Sequence, residues 1–193
     1  MSLTTHGLTP SLERVLHTSV VPALPYNIEL AVVGAGPLVS KRLDETRVDD
    51  WLQHLSRVKY AIATAQSAAL AAGELGRTPF VFFLTHPPGT FAQSSSMLSA
   101  VSESVLRGFV RTDGIKATNT AAVCNLVTLR FTGWGFDASD IDAVDEFAVA
   151  RLIVQLIRPP AHQIDGTVIS VDGRGWVVVD ADAGSPLLRL DDS

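Results

Sequence analysis

The stretch Ile28-Glu-Leu-Ala-Val-Val33, closed by Gly34-Ala35-Gly36, constrains the fold of this chain more than any other segment. It is apolar at nearly every position, so both of its faces need cover, which is the habit of strands in parallel sheets. The glycines that follow mark a tight turn. Three further runs have the same character: Phe80–Leu84, Val123–Phe131 and Thr167–Val171. Helical spacing fills the gaps between them. From Asp49 to about Glu74, Trp51, Leu55, Val58, Ile62 and Ala65 recur at three- and four-residue steps. From Ser94 to about Arg111, Met97, Ala100, Val101, Val105 and Leu106 fall on one side. A third helix has Ser139 as N-cap, Asp140 and Asp142 in its first turn, and Pro159 as its stop. Strand and helix in regular alternation predict an α/β fold, a Rossmann-like three-layer sandwich. Its mainly parallel sheet would have about four strands in sequence order, joined by right-handed crossovers.

The chain's 193 residues suit one domain, with 47% hydrophobic and 18% charged residues. A chain this long buries about 70% of its unfolded surface and needs no staples. Residues 28–175 are expected to form the α/β domain. Residues 1–27 are expected to be a cover segment, with a short helix around Leu12, Val15 and Leu16 ended by Pro22 and Pro25. Its many apolar side chains predict that residues 8–26 lie across the edge or adjoining face of the first strand, burying those three. The prolines favour a helix and an extended cover over an added strand. The tail, residues 176–193, is more apolar than a free terminus (Val177 to Leu190) and is expected to pack on this chain or a neighbour.

Charge excludes several roles. Against 20 acidic side chains stand 15 basic ones, scattered rather than striped, for a net charge of −5. Nucleic-acid binding and an electrostatic hold on membranes both need a basic patch. The most apolar stretch, Ala31–Val39, is too short to span a bilayer, and residues 1–10 do not read as a signal peptide. A cytoplasmic location is the expectation. The lone cysteine, Cys124, allows no internal disulfide and reads as a small buried hydrophobe.

Several segments together resemble one family. Gln163-Ile-Asp-Gly-Thr-Val-Ile-Ser-Val-Asp-Gly173 is similar to the "ITG…VDGG" ending of short-chain dehydrogenases/reductases, and Asp145 through Leu156 looks like the helix before it. Ala31-Val-Val-Gly-Ala-Gly36 resembles the family's "VNNAG" strand end. Asp50-Trp51 with Ala65-Gln66 resembles its "DW…TQ" helix, and Ser104-Val-Leu-Arg-Gly-Phe109 its "AALxGF" half-helix. Asn125 falls where the "IRVN" asparagine belongs. The shared order and spacing cover about residues 28–175.

The departures concern function. The resemblance implies an NAD(P)-dependent oxidoreductase that opens with a strand and a TGxxxGxG turn. Here residues 1–27 hold a single glycine, Gly7, and no G-x-G precedes Gly34. They would stand in for two β-α units and a third strand. Aligned on Gly108, the family's tyrosine position holds Ser99 and its lysine position Glu103. The serine position holds His86 (or Thr85), and the asparagine position Arg57 or Val58. A serine hydroxyl is a poor acid beside a phenol, and a carboxylate disfavours the anion that a lysine would favour. The family's proline-glycine appears as Leu129-Arg130. The resemblance therefore implies a truncated, degenerate member with no catalytic residues and no cofactor.

Sharper readings compete with plainer ones. His86, Ser99 and Glu103 could converge as a nucleophile, base and carboxylate, with Ser99 and Glu103 on one helical face. Three such residues also arise by chance. Gly34-Ala-Gly36 suits a strand-to-helix turn better than a phosphate loop. Asp140, Asp142 and Asp145 do not share a face, so the acidic run reads as a solvated cap rather than a cation site. Trp134 and Trp176, each flanked by glycine, suit a ligand pocket or an interface equally. The expected function is a non-catalytic structural or regulatory subunit, as a homo-oligomer or together with a complete dehydrogenase. The alternative is a small-molecule binder or enzyme that reuses the vacated cleft.

Overall fold

The computed structural model describes residues 2–34, 44, 46–85, 97–112, 122–129, 146–158, 164–172 and 175–178. Among them run β1 (Leu3–His6), α1 (Pro10–Val15), β2 (Ile28–Gly34), α2 (Val48–Glu74), β3 (Thr78–Thr85), α3 (Met97–Arg111), β4 (Val123–Leu129), α4 (Glu146–Leu156), β5 (Val168–Asp172) and β6 (Gly175–Val178). All six strands form one sheet in the order β1-β2-β3-β4-β5-β6. The first five are parallel, and β6 returns antiparallel along β5.

The four strands expected from sequence are present, parallel and consecutive. Two more extend the sheet. Leu3–His6 pairs with Leu30–Val33, so the segment before residue 28 does supply an added strand. Prolines 22 and 25 do not prevent this, because the strand lies upstream of both. The rest of that segment behaves as a cover. α1 continues through a π turn, Leu16–Val20, and a 3₁₀ turn, Val21–Ala23, with Leu12, Val15 and Leu16 buried.

Strand alternation divides the core into two layers. Leu30, Val32, Phe80, Phe82, Val127 and Ile169 meet α1, its π turn and α4. Ala31, Val33, Val81, Phe83, Cys124 and Leu126 meet α2 and α3 on the other face. The three-layer sandwich is therefore as expected, but its crossovers are not. Every parallel step moves the same way across the sheet, so helices on opposite faces require crossovers of opposite hand. The β1-α1-β2 and β4-α4-β5 units turn one way, and the units through α2 and α3 turn the other. A uniform right-handed set, the general preference, is excluded.

The buried stripe of α2 also departs from expectation. It runs His54, Val58, Ala61, Ala65, Ala69, Ala72, while Leu52 and Leu55 face outward and Trp51 and Ile62 are half-buried. Alanines let the helix axis sit close to the sheet, and this rotates the larger side chains away. On α3, Val105 is likewise exposed, and Ser102, Leu106 and Val110 are buried. α2 ends in a Schellman turn: Gly76 takes φ 64°, and the Arg77 amide donates to the Ala72 carbonyl at 2.9 Å. Glu29, the one charge in β2, is buried but paired with Arg77 at 2.7 Å. Ser139, Asp140, Asp142 and Asp145, expected from sequence at the start of α4, lie outside the described residues, as does Trp134.

Candidate functional site

In a parallel α/β sheet the place to look is beyond the carboxyl ends of the strands. At the end of β1, Gly7 (φ 67°) starts a short turn, and Thr9 then caps α1 by accepting the Leu12 amide at 3.2 Å, with Pro10 in the first turn. The turn presses against the neighbouring strand end. A Cβ at Gly34 would lie 2.5 Å from the Gly7 carbonyl oxygen and 3.1 Å from a Leu8 methyl. The β1 and β2 ends are thus in direct backbone contact, and only glycine fits at 34.

The start of α1 also receives a carboxylate from the far end of the chain. Glu146, the first residue of α4, accepts from Ser11 Oγ at 2.5 Å and from Thr9 Oγ1 at 3.3 Å. An anion is favoured there by the helix dipole. This link brings α1 and α4 together on one face of the sheet; the sequence places Glu146 at the start of a helix but carries no sign of these partners.

On the other face a second polar group lies at the same end of the sheet. His54 Nε2, in the second turn of α2, hydrogen-bonds Ser102 Oγ of α3, both of them buried. Beside Ser102, Glu103 Oε1 accepts from Arg107 at 2.6 Å. Its Oε2 is buried with no hydrogen-bond partner, and so is Thr85 Oγ1 at the last position of β3. Thr85 stands in register with Thr128 of β4, whose hydroxyl donates to the Ile169 carbonyl at 3.4 Å.

Of His86, Ser99 and Glu103, it is Glu103 whose side chain is described: it is tied to Arg107 one helical turn along. His86 and the Ser99 side chain, the other two members of the triad considered from sequence, lie outside the described residues. The serine–histidine pair that does exist, Ser102 with His54, was missed. Its signal was the helical spacing of His54 with Val58, Ala61 and Ala65. A serine next to an imidazole has the logic of an activated nucleophile, but residues 3% and 5% exposed offer a substrate no approach. The bond instead joins two helices across their contact. Asn125, also fully buried, donates to the Ile164 carbonyl at 2.8 Å and accepts the Thr167 amide at 3.1 Å, clamping β4 to the entry of β5. Asp165 helps by accepting the Cys124 amide at 2.8 Å. Cys124 is buried, as expected.

Among the described residues no group of three or more histidine, cysteine, aspartate or glutamate side chains could hold a metal ion, and no helix is long and apolar enough to cross a membrane.

No protein-family model and no curated protein matches the sequence. Solved structures do match the fold. A short-chain dehydrogenase from Mycobacterium avium superposes with a TM-score of 0.60 at 13% identity, covering 93% of this chain and 63% of its own. One from Mycobacterium smegmatis gives 0.59 at 19%, covering 86% and 66%. One from Leptospira borgpetersenii, solved with bound NAD+, gives 0.61 at 11%, covering 83% and 68%. The chain spans less than two thirds of the length of the first two. In the doubly wound strand order 3-2-1-4-5-6 the first strand neighbours the fourth. A sheet whose parallel strands lie in sequence order, as β1 to β5 do here, shares with that order the run in which consecutive strands are neighbours.

Proposed function

We infer that this chain, which carries the short-chain dehydrogenase fold, acts as a non-catalytic subunit of an oligomer built with a complete dehydrogenase. The observation that carries the reading is the Glu146 carboxylate at the N-terminus of α1. In dinucleotide-binding sheets the helix after the first strand presents its free amides to the pyrophosphate, and glycines in the turn let the two backbones approach. Here the turn has one glycine, its carbonyl abuts Gly34, and a carboxylate already holds Thr9 and Ser11. A second anion at that point would meet like charge. The residues present do not fit a nicotinamide dinucleotide, and no step of a hydride transfer is assigned to them.

The catalytic positions support the same reading. Glu103, where the resemblance places a lysine, is neutralised by Arg107 in a structural pair. What remains is a scaffold with large apolar groups turned outward on both helical layers: Leu52, Leu55 and Val105 on α2 and α3, and Phe147 on α4. Exposed apolar groups of this size on neighbouring helices suit burial against another subunit. The subunit would work in the cytoplasm, without nucleic acid or membrane. Co-expression with complete short-chain dehydrogenases from the same genome, followed by mass measurement of the intact complexes, tests it. A mixed oligomer is expected, and recovery of unmixed species with every candidate would overturn it.

One observation favours a second reading, a small molecule held in the vacated cleft. Buried polar atoms without partners are uncommon, and Glu103 Oε2 and Thr85 Oγ1 both lie toward the carboxyl end of the sheet on the α2/α3 face. A screen of small polar metabolites by thermal shift, repeated on Glu103→Gln, tests it. A stabilising ligand whose effect the variant abolishes would support this reading.

A further inference from the structure

β6 lies at one edge of the described sheet, and its pairing fixes which of its backbone groups are left over. The Leu126 amide donates to the Thr167 carbonyl at 2.9 Å, and Leu126 stands in register with Val168. Parallel pairing in this phase points the peptide groups of Thr167, Ile169 and Val171 at β4, and those of Val168, Ser170 and Asp172 at β6. Ser170 faces Val177 and Asp172 faces Gly175, so these are the pairs that exchange hydrogen bonds across the antiparallel ladder. Trp176 and Val178 therefore aim their amides and carbonyls out of the sheet. Among the described residues, no group bonds to them.

We propose that this edge is a self-association site, where β6 pairs antiparallel with β6 of a second copy and joins two six-stranded sheets into one. Two observations carry the proposal. The first is self-complementarity. A two-fold axis at Val177 sets that residue opposite its own copy as a non-hydrogen-bonded pair, and Trp176 opposite the partner's Val178. Each of the two Trp176–Val178 pairs then exchanges two bonds, four in all, and every outward group of both strands is satisfied. An unrelated extended peptide would bond the same groups but would carry a new open edge of its own.

The second is that nothing in the strand blocks pairing. Sheet edges are commonly blunted by charge or proline. Gly175-Trp-Val-Val178 has neither, and three of its four residues favour strands. The opposite edge, Leu3-Thr-Thr-His6, is the more polar of the two. α2 and α3 pack over β2, β3 and β4, so contact at β6 leaves the exposed Leu52, Leu55 and Val105 free for a different partner. The proposal does not rest on the subunit reading.

Sedimentation of the full chain by itself, over a range of concentrations, should show a reversible dimer; a monomer throughout would overturn the proposal. Val177→Cys in a Cys124→Ala background, under mild oxidation, tests the register. Residues in a non-hydrogen-bonded pair have Cα atoms about 4.5 Å apart, within disulfide reach, so an interchain disulfide is expected. Gly175→Cys in the same background would lie roughly 13 Å along the strands from its own copy and should stay unlinked. Equal cross-linking at 175 and 177 would overturn the pairing. Trp176→Pro removes one outward amide from each copy and keeps the bonds to β5. It should raise the dissociation constant of the dimer about tenfold or more. Thr5→Pro makes the same change at the β1 edge, where the bond from the Leu30 amide to Ser2 leaves Thr5 facing outward, and should leave the dimer unchanged. Dimer loss in Thr5→Pro with retention in Trp176→Pro would move the interface to the other edge and overturn this one. The cysteine variants do not depend on the proline variants folding. Every arm uses the chain alone, whereas the subunit reading is judged on co-expressed complexes, so failure of one is told from failure of the other.

Discussion

Ser11 donates a hydrogen bond to Glu146 at 2.5 Å, joining α1 to α4 across 135 residues of sequence. The bond holds the Glu146 carboxylate at the N-terminus of α1, where Thr9 also donates to it. Replacing Glu146 with Ala frees Thr9 and Ser11 and loosens α1 from α4. A charge-assisted bond at a partly exposed site is worth about 1 kcal/mol, a fall of about 2–4 °C in Tm for a chain of this size. Calorimetric melting of Glu146→Ala checks it; an unchanged Tm would show that the link carries no stability.

Much of this fold was legible in the sequence, and the illegible parts have physical reasons. Continuous apolar runs such as Ile28–Val33 and Phe80–Leu84 state that both faces are covered, so parallel strands follow directly. Leu3–His6 could not be read, because a four-residue edge strand with half-exposed Leu3 and Thr4 carries no such run. The α2 stripe was misread because periodicity weighs large side chains, whereas close approach to a sheet selects alanine. The pairings of Ser102 with His54 and of Glu146 with Ser11 join residues 48 and 135 positions apart. Only the assembled sheet brings them together.

The Ser102–His54 bond should be structural rather than chemical. Ser102→Ala removes the hydroxyl from a buried imidazole and is expected to cost about 1–3 kcal/mol, read as a lower urea midpoint at unchanged slope. Hydrolysis of p-nitrophenyl acetate should stay at the background rate for both proteins. A wild-type rate well above background that vanished in Ser102→Ala would make the pair catalytic.

Two glycines should respond in opposite directions to the same substitution. At Gly34 a methyl group would lie 2.5 Å from the Gly7 carbonyl, a backbone atom that cannot step aside. Gly34→Ala should lose about 3 kcal/mol or more of stability through overpacking. At Gly108, inside α3, an added Cβ meets nothing within 4 Å. Gly108→Ala should gain about 0.5–1 kcal/mol from helix propensity. Paired denaturant melts check both; a stable Gly34→Ala would show that the strand ends are not in contact.

Restoring the family's side chains should not restore its chemistry. The double variant Ser99→Tyr/Glu103→Lys supplies the acid and the cation but leaves the β1–α1 turn, with Leu8 and Glu146, as it is. No alcohol-dependent reduction of NAD+ or NADP+ above the wild-type background is expected when the variant is assayed with a panel of secondary alcohols. Cofactor-linked turnover by the double variant would show that the turn was never the obstacle.

The most direct measurement is calorimetric titration of the full chain with NADH and with NADPH. With one glycine in the turn and the Glu146 carboxylate at the α1 N-terminus, neither cofactor should give heat beyond dilution up to millimolar concentration. Saturable binding of either one in the micromolar range would contradict a chain without a cofactor site, and with it the non-catalytic subunit.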